Sequence, residues 1–129
     1  NELSFREASQ AILNLASSAN LYINETEPWK LIKQEEKKDI VAFYIYNVLE
    51  SCRLVALLLN PIVPKLSYDM LCQLNSESQV NNWSESLKWG CLTEGSELPK
   101  PTPCITKLEW LEYLEKSSSQ KHYYYLMLI

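Results

Sequence analysis

Glycine is almost missing from this chain: only Gly90 and Gly95 occur in 129 residues. That shortage leaves no glycine-rich loop to cradle a phosphate, and two glycines with six prolines leave little room for a turn-rich β-sandwich. Histidine occurs once, as His122, so a Ser or Cys nucleophile has no choice of base; a Cys–His pair would have to meet in space, without a sequence signature. The four cysteines, Cys52, Cys72, Cys91 and Cys104, show no C-x-x-C spacing, and with one histidine they give no support to a zinc site. Reduced thiols are the expected state. Basic excess is also lacking. A net charge of −4 and a pI near 5.0 argue against a non-specific nucleic-acid binder that lives on phosphate neutralisation. They leave open a module that reads a few splayed loop bases by stacking and hydrogen bonding. No charged segment followed by an apolar run and a small-residue cleavage site opens the chain. The longest apolar region, Ile40–Leu59, is interrupted by Asn47, Glu50, Ser51 and Arg53. A bilayer span would have to bury Glu50 and Arg53, so this region reads as a core helix and no membrane partner is expected.

What is present is enough apolar residue, 47%, for one domain with its own core. Asn1 is not an initiator methionine, so the chain is expected to be a fragment or a processed product. Ser4 and Glu7 form a capping-box pattern at the start of a first helix. Phe5, Ala8, Ile12, Leu15, Ala19 and Tyr22 then recur every three or four residues on one face. Pro28 lacks an amide hydrogen and disfavours helical geometry at Glu27, which places the helix end in Ile23–Glu27. A second helix is expected from Gln34 or Glu35 to Leu59, apolar nearly all round and therefore the buried centre of a bundle. Asn60-Pro61 stops it, and Pro64 suits the first turn of a third helix. Asn75–Ser86 reads as a polar loop with one helical turn, and Trp89 to Pro103 as an extended strap; Trp83 in the first and Trp89 in the second are expected to pack. Thr106 and Glu109 make a second capping box for a last helix reaching about Lys116.

The stretch Ala19–Lys33, ANLYINETEPWKLIK, holds the candidate binding residues. Pro28 breaks the first helix and presents Trp29 at the corner. Lys30, Lys33, Lys37 and Lys38 follow, mixed with Glu35 and Glu36. Such a corner either plugs a core or holds an unstacked base, a contact that stabilises by roughly 1–3 kcal/mol, with lysines meeting the phosphates. Paired acids such as Glu35/Glu36 and Glu112/Glu115 read as a solvated helix face rather than a general acid–base couple.

The run AN-x-Y-x-x-x-x-x-PWKL, the later NPIVPKLS and the segment KWGCLTEGSELPKPTPCITKLE stand in the order and spacing of one family. The chain from about Leu3 to Glu109 resembles the C-terminal anticodon-binding domain of methionyl-tRNA synthetases, class I aminoacyl-tRNA synthetases. The resemblance implies an all-α anticodon-binding bundle of three main helices plus a C-terminal strapping helix over residues 1–116, with 117–129 as a tail. It implies that Trp29 is the platform on which an anticodon base of methionine tRNA stacks, with Pro28 fixing the backbone before it. Asn20 matches a family asparagine that either faces the RNA or holds the end of the first helix. Lys30 and Lys33 approach phosphates in this reading. Arg53 matches a family arginine inside the second helix, for which a buried structural pair is favoured over RNA contact. Asparagine and arginine side chains that the family carries on a preceding helix have no counterpart here. The closing P-L-F-P-R-I pattern departs at Thr106 and Lys107, and Lys107 keeps the charge without a bidentate fork.

The family's H-I-G-H and K-M-S-K-S type signatures are absent, so this fragment is read as no enzyme and as carrying no cofactor, metal or catalytic residue of its own. The implied parent is a methionine-tRNA ligase using ATP and magnesium in a missing N-terminal catalytic domain, in the cytoplasm or an organelle. Two other classes compete. One is a protein-interaction helical bundle without RNA binding, in which the Trp29 corner and the tyrosine-rich tail dock a partner. The other is a small hydrolase or transferase that needs His122 or a cysteine in a cleft.

Overall fold

The computed structural model describes residues 4–105, and among them the regular elements are all helical. Helix α1 (Phe5–Thr26) opens where Ser4 Oγ accepts the Glu7 N–H at 3.3 Å. It closes at Glu27, whose N–H still donates to the Ile23 carbonyl at 3.1 Å while its backbone swings to φ 42°, ψ 55°. The ring of Pro28 disfavours continued right-handed helix at the residue before it, so the chain turns there, although the left-handed region costs a residue with a Cβ about 1–2 kcal/mol. Helix α2 (Pro28–Leu31) starts at once with proline in its first turn, where the lost amide has no helical partner in any case.

The expected second long helix begins less directly than the sequence suggests. A 3-10 turn (Glu35–Lys37) leads into α3 (Lys38–Leu59), and Lys38 Nζ bonds Glu35 at 2.7 Å across that junction. Helix α4 (Pro64–Cys72), a second 3-10 turn (Glu77–Asn82) and α5 (Trp83–Ser86) follow, and residues 91–103, the strap of the sequence reading, form no regular element, with a bend at Leu92 and a turn at Glu94-Gly95. The polar stretch 75–86 is therefore more helical than a loop. The last helix expected from Thr106 to Lys116 and the tail 117–129 lie outside the described residues.

Helix α3 is the axis, packing against α1 on one flank and α4 on another. An edge-to-face pair, Tyr22 on α1 and Tyr44 on α3, with centroids 5.9 Å apart, ties the first interface. Asn47 Nδ2 donates to the Tyr22 hydroxyl at 3.1 Å beside it. The core gathers Ala56 and Leu57 of α3 with Leu71 of α4, flanked by Met70, Val80 and Leu87. Burial along α3 is uneven, which corrects the expectation of a helix buried throughout. Glu50, Ser51, Arg53, Val55, Ala56 and Leu57 are buried, whereas Ile40, Phe43 and Ile45 are exposed. On α1 likewise, Ile12 is buried while Phe5 at the start of the predicted face is exposed. Apolar period gives the direction of a face; what covers it depends on the neighbours that reach it.

Candidate nucleic-acid interface

Three of the five candidate residues belong to one short corner. Pro28 is buried, Trp29 beside it is 51% exposed, and Lys30 is exposed on the same turn. Lys30 N–H donates to the Glu27 carbonyl and Ile32 N–H to the Pro28 carbonyl, both at 2.9 Å, so the backbone around Trp29 is fixed from its immediate neighbours. Burial of the proline anchors the corner, and the indole is left half covered and half in solvent. Lys30 Nζ lies 2.6 Å from Glu27 Oε1 in an exposed pair, which is worth about 0–1 kcal/mol and is readily exchanged for another anion. Lys33, just past α2, is exposed and has no ion-pair partner among the described residues.

Asn20 is apart from this cluster. It is exposed on α1, seven residues before the Glu27 cap, about 10 Å along a helix axis. The hydrogen bonds that close α1 come from Glu27 N–H and from Thr26 Oγ1, which donates to the Tyr22 carbonyl at 2.8 Å. Asn20 takes no part in those closing bonds.

Arg53 is where the sequence reading put it, in a buried structural pair. Its Nε donates to Glu50 Oε2 at 2.8 Å, and its two terminal nitrogens reach Gln79 Oε1, the Ser86 carbonyl at 2.6 Å and the Lys88 carbonyl at 2.8 Å. Glu50 in turn accepts the backbone N–H groups of Gly90 (2.7 Å), Cys91 (3.1 Å) and Leu92 (3.1 Å). Both side chains are fully buried. Desolvation is the largest single influence on Glu50 and pushes its carboxyl up. The hydrogen bonds from Arg53 and from the Cys91 and Gly90 amides together outweigh it and hold the group below the usual carboxylate range. The sequence signal for this clamp is an E-x-x-R step on an apolar helix; its backbone partners carry no signal at all.

The two later tryptophans divide. Trp83 is tied to α3, its Nε1–H donating to the Leu57 carbonyl at 2.7 Å, while 36% of it stays exposed. Trp89, also expected to pack, is instead 55% exposed. Burial pushes the Cys52 thiol up, which keeps it protonated and unreactive. Among the described residues no three His, Cys, Asp or Glu side chains converge as a metal site, and the surroundings of Gly90 and Gly95 are open rather than a phosphate cradle.

The family model for the anticodon binding domain of methionyl tRNA ligase matches residues 1–119. The chain belongs to that family. A methionine–tRNA ligase of Synechocystis is 41% identical over 117 residues, covering 83% of this chain and 22% of the relative. One of Clostridium perfringens is 43% identical over 119 residues, covering 92% and 18%. A chloroplastic/mitochondrial methionine–tRNA ligase of Arabidopsis thaliana is 34% identical over 116 residues, covering 83% and 18%. The chain thus spans about a fifth of the length of these synthetases. No solved structure matches it.

Proposed function

We propose that this domain recognises the anticodon loop of methionine tRNA by stacking an anticodon base on Trp29, while a catalytic domain elsewhere in a longer synthetase performs the ATP- and magnesium-dependent aminoacylation. The observation that carries this reading is a half-exposed tryptophan on a corner whose proline is buried and whose backbone is hydrogen-bonded on both sides. An exposed apolar ring on a mobile loop would lose entropy on stacking; this one has already been ordered by folding. Lys33, and Lys30 once released from Glu27, supply positive charge for the flanking phosphates, and Asn20 offers an amide to the same RNA from α1. An overall charge of −4 then works against indiscriminate binding, because recognition rests on one stacked base and a few local cations rather than on a basic surface. The chain is no ligase by itself in this account, and its compartment is that of its parent, the cytoplasm or an organelle.

The test is a titration of the chain with a methionine anticodon stem-loop and with the same stem carrying a scrambled loop. Wild type should prefer the methionine loop, and Trp29→Ala should lose the preference while its thermal unfolding is kept. Equal affinity of wild type for the two loops would sink the proposal.

A further inference from the structure

Trp89 combines two properties that rarely coincide in a packing residue: a fixed backbone and a side chain left in solvent. The carbonyl of Lys88 before it is held by Arg53 Nη2 at 2.8 Å, and the N–H of Gly90 after it by Glu50 Oε1 at 2.7 Å. Both anchoring side chains are fully buried. Gly90 turns the chain at φ +88°, a conformation that residues with a Cβ rarely adopt. The indole itself is 55% exposed and stands at the edge of an open cleft of about 300 Å³. Ser18, Ala19 and Tyr22 of α1 and Asn47 and Ser51 of α3 line the rest of it.

The cleft has a definite chemistry. No charged side chain lines it, so a phosphate or carboxylate would lie there unneutralised and an ammonium group would find no counter-ion. Asn47 Nδ2 is engaged with the Tyr22 hydroxyl and Ser51 Oγ with the Asn47 carbonyl. These bonds leave the Asn47 side-chain oxygen as an acceptor and the Tyr22 hydroxyl hydrogen as a donor. A flat neutral ring with donors and acceptors on its edge satisfies both and stacks on the indole. The volume is at the low end for small-molecule sites, room for one ring system and too little for a partner helix.

We propose that this cleft takes a second unstacked nucleobase of the bound RNA, with Trp89 as its platform and the Glu50–Arg53 pair as the positioning device beneath it. The inference rests on the RNA-binding reading above. Ser18, Ala19 and Tyr22 of its lining precede the Glu27 cap by nine, eight and five residues, about 8 to 14 Å of helix, so the cleft stands on the C-terminal half of α1, apart from the Trp29 corner.

The experiment compares the whole chain with its Trp29→Ala, Trp89→Ala and Trp89→Phe variants, titrated with the methionine anticodon stem-loop and with versions made abasic at one loop position at a time. Trp89→Ala should weaken binding at least fivefold, Trp89→Phe should keep most of the affinity, and one abasic position, different from the one coupled to Trp29, should abolish the Trp89→Ala penalty. Full-strength binding by Trp89→Ala alongside weakened binding by Trp29→Ala overturns this inference and leaves the first reading standing. A Trp89→Ala penalty of equal size on every abasic loop overturns it too, since no one base then occupies the cleft. No loss from either alanine variant removes both readings together. Because Trp89 is half in solvent, these variants keep the fold, which the unfolding curve of each verifies.

Discussion

Trp29 and Trp89 have nearly the same exposure, 51% and 55%, and are held by opposite means. The Trp29 corner is built from its own neighbours: the left-handed Glu27, the buried Pro28, and hydrogen bonds between residues three or four apart. Trp89 is held by Glu50 and Arg53, side chains contributed from a different helix some 35–40 positions earlier in the sequence. A locally built corner keeps its shape as long as its own helix end forms. A clamped strap keeps its shape only while a buried ion pair keeps its charge and its partners. Two similar surfaces therefore differ in what can destroy them.

Arg53→Ala should produce the largest effect, about 3–5 kcal/mol of lost stability read from urea unfolding, because it leaves the Glu50 carboxylate buried without its cation. Replacing both partners by leucine should not restore the loss, since the Gly90, Cys91 and Leu92 amides would still lack their acceptor. Full recovery in that double variant would mean that the strap is not clamped from α3. Acid applies the same break by degrees. Glu50 is held below its ordinary value, about 4.3 for a free glutamate, so its contribution is fully present above that pH and is lost as pH falls through the lower folded-state value. Unfolding midpoints followed from pH 7 to 3 should drop steeply in wild type and less steeply in Glu50→Gln; parallel curves would contradict the assignment.

Smaller effects separate the third tryptophan and the lysines. Trp83→Phe removes the bond to the Leu57 carbonyl and should cost about 1 kcal/mol without touching RNA affinity. Any change in affinity there would mean that the RNA surface extends to α5. Lys33→Ala should leave the fold unaffected and lower the slope of log affinity against log salt by about 0.7, the value for one phosphate contact on a single strand. An unchanged slope would take Lys33 out of the interface.

The same contrast explains which parts were legible in the sequence. Ser4, Pro28, Asn60-Pro61 and Pro64 act on the residues next to them, so both ends of α1, the C-terminal end of α3 and the start of α4 could be read within a residue or two. The corner that presents Trp29 followed from one proline for the same reason. The pairing of Arg53 was readable, but the capture of three strap amides by Glu50 was not, because contacts across some forty residues leave no local pattern. Trp89 was misjudged on that account: as a large apolar residue in an irregular segment it reads as packing, and the clamp that holds it out of the core is distant in the chain. Uneven burial along α3 has a related cause, since apolar residues such as Ile40, Phe43 and Ile45, spread around the helix, say nothing about which element is long enough to cover them.

The stack on Trp29 is open to one direct measurement. A methionine anticodon stem-loop carrying fluorescent 2-aminopurine at each anticodon position in turn reports stacking by quenching when the chain is added. The account predicts strong quenching at one position with wild type, retained in Trp29→Phe and lost in Trp29→Ala at saturating protein. Equal quenching by wild type and Trp29→Ala at every position would contradict it, because the base would then be stacking on something other than Trp29.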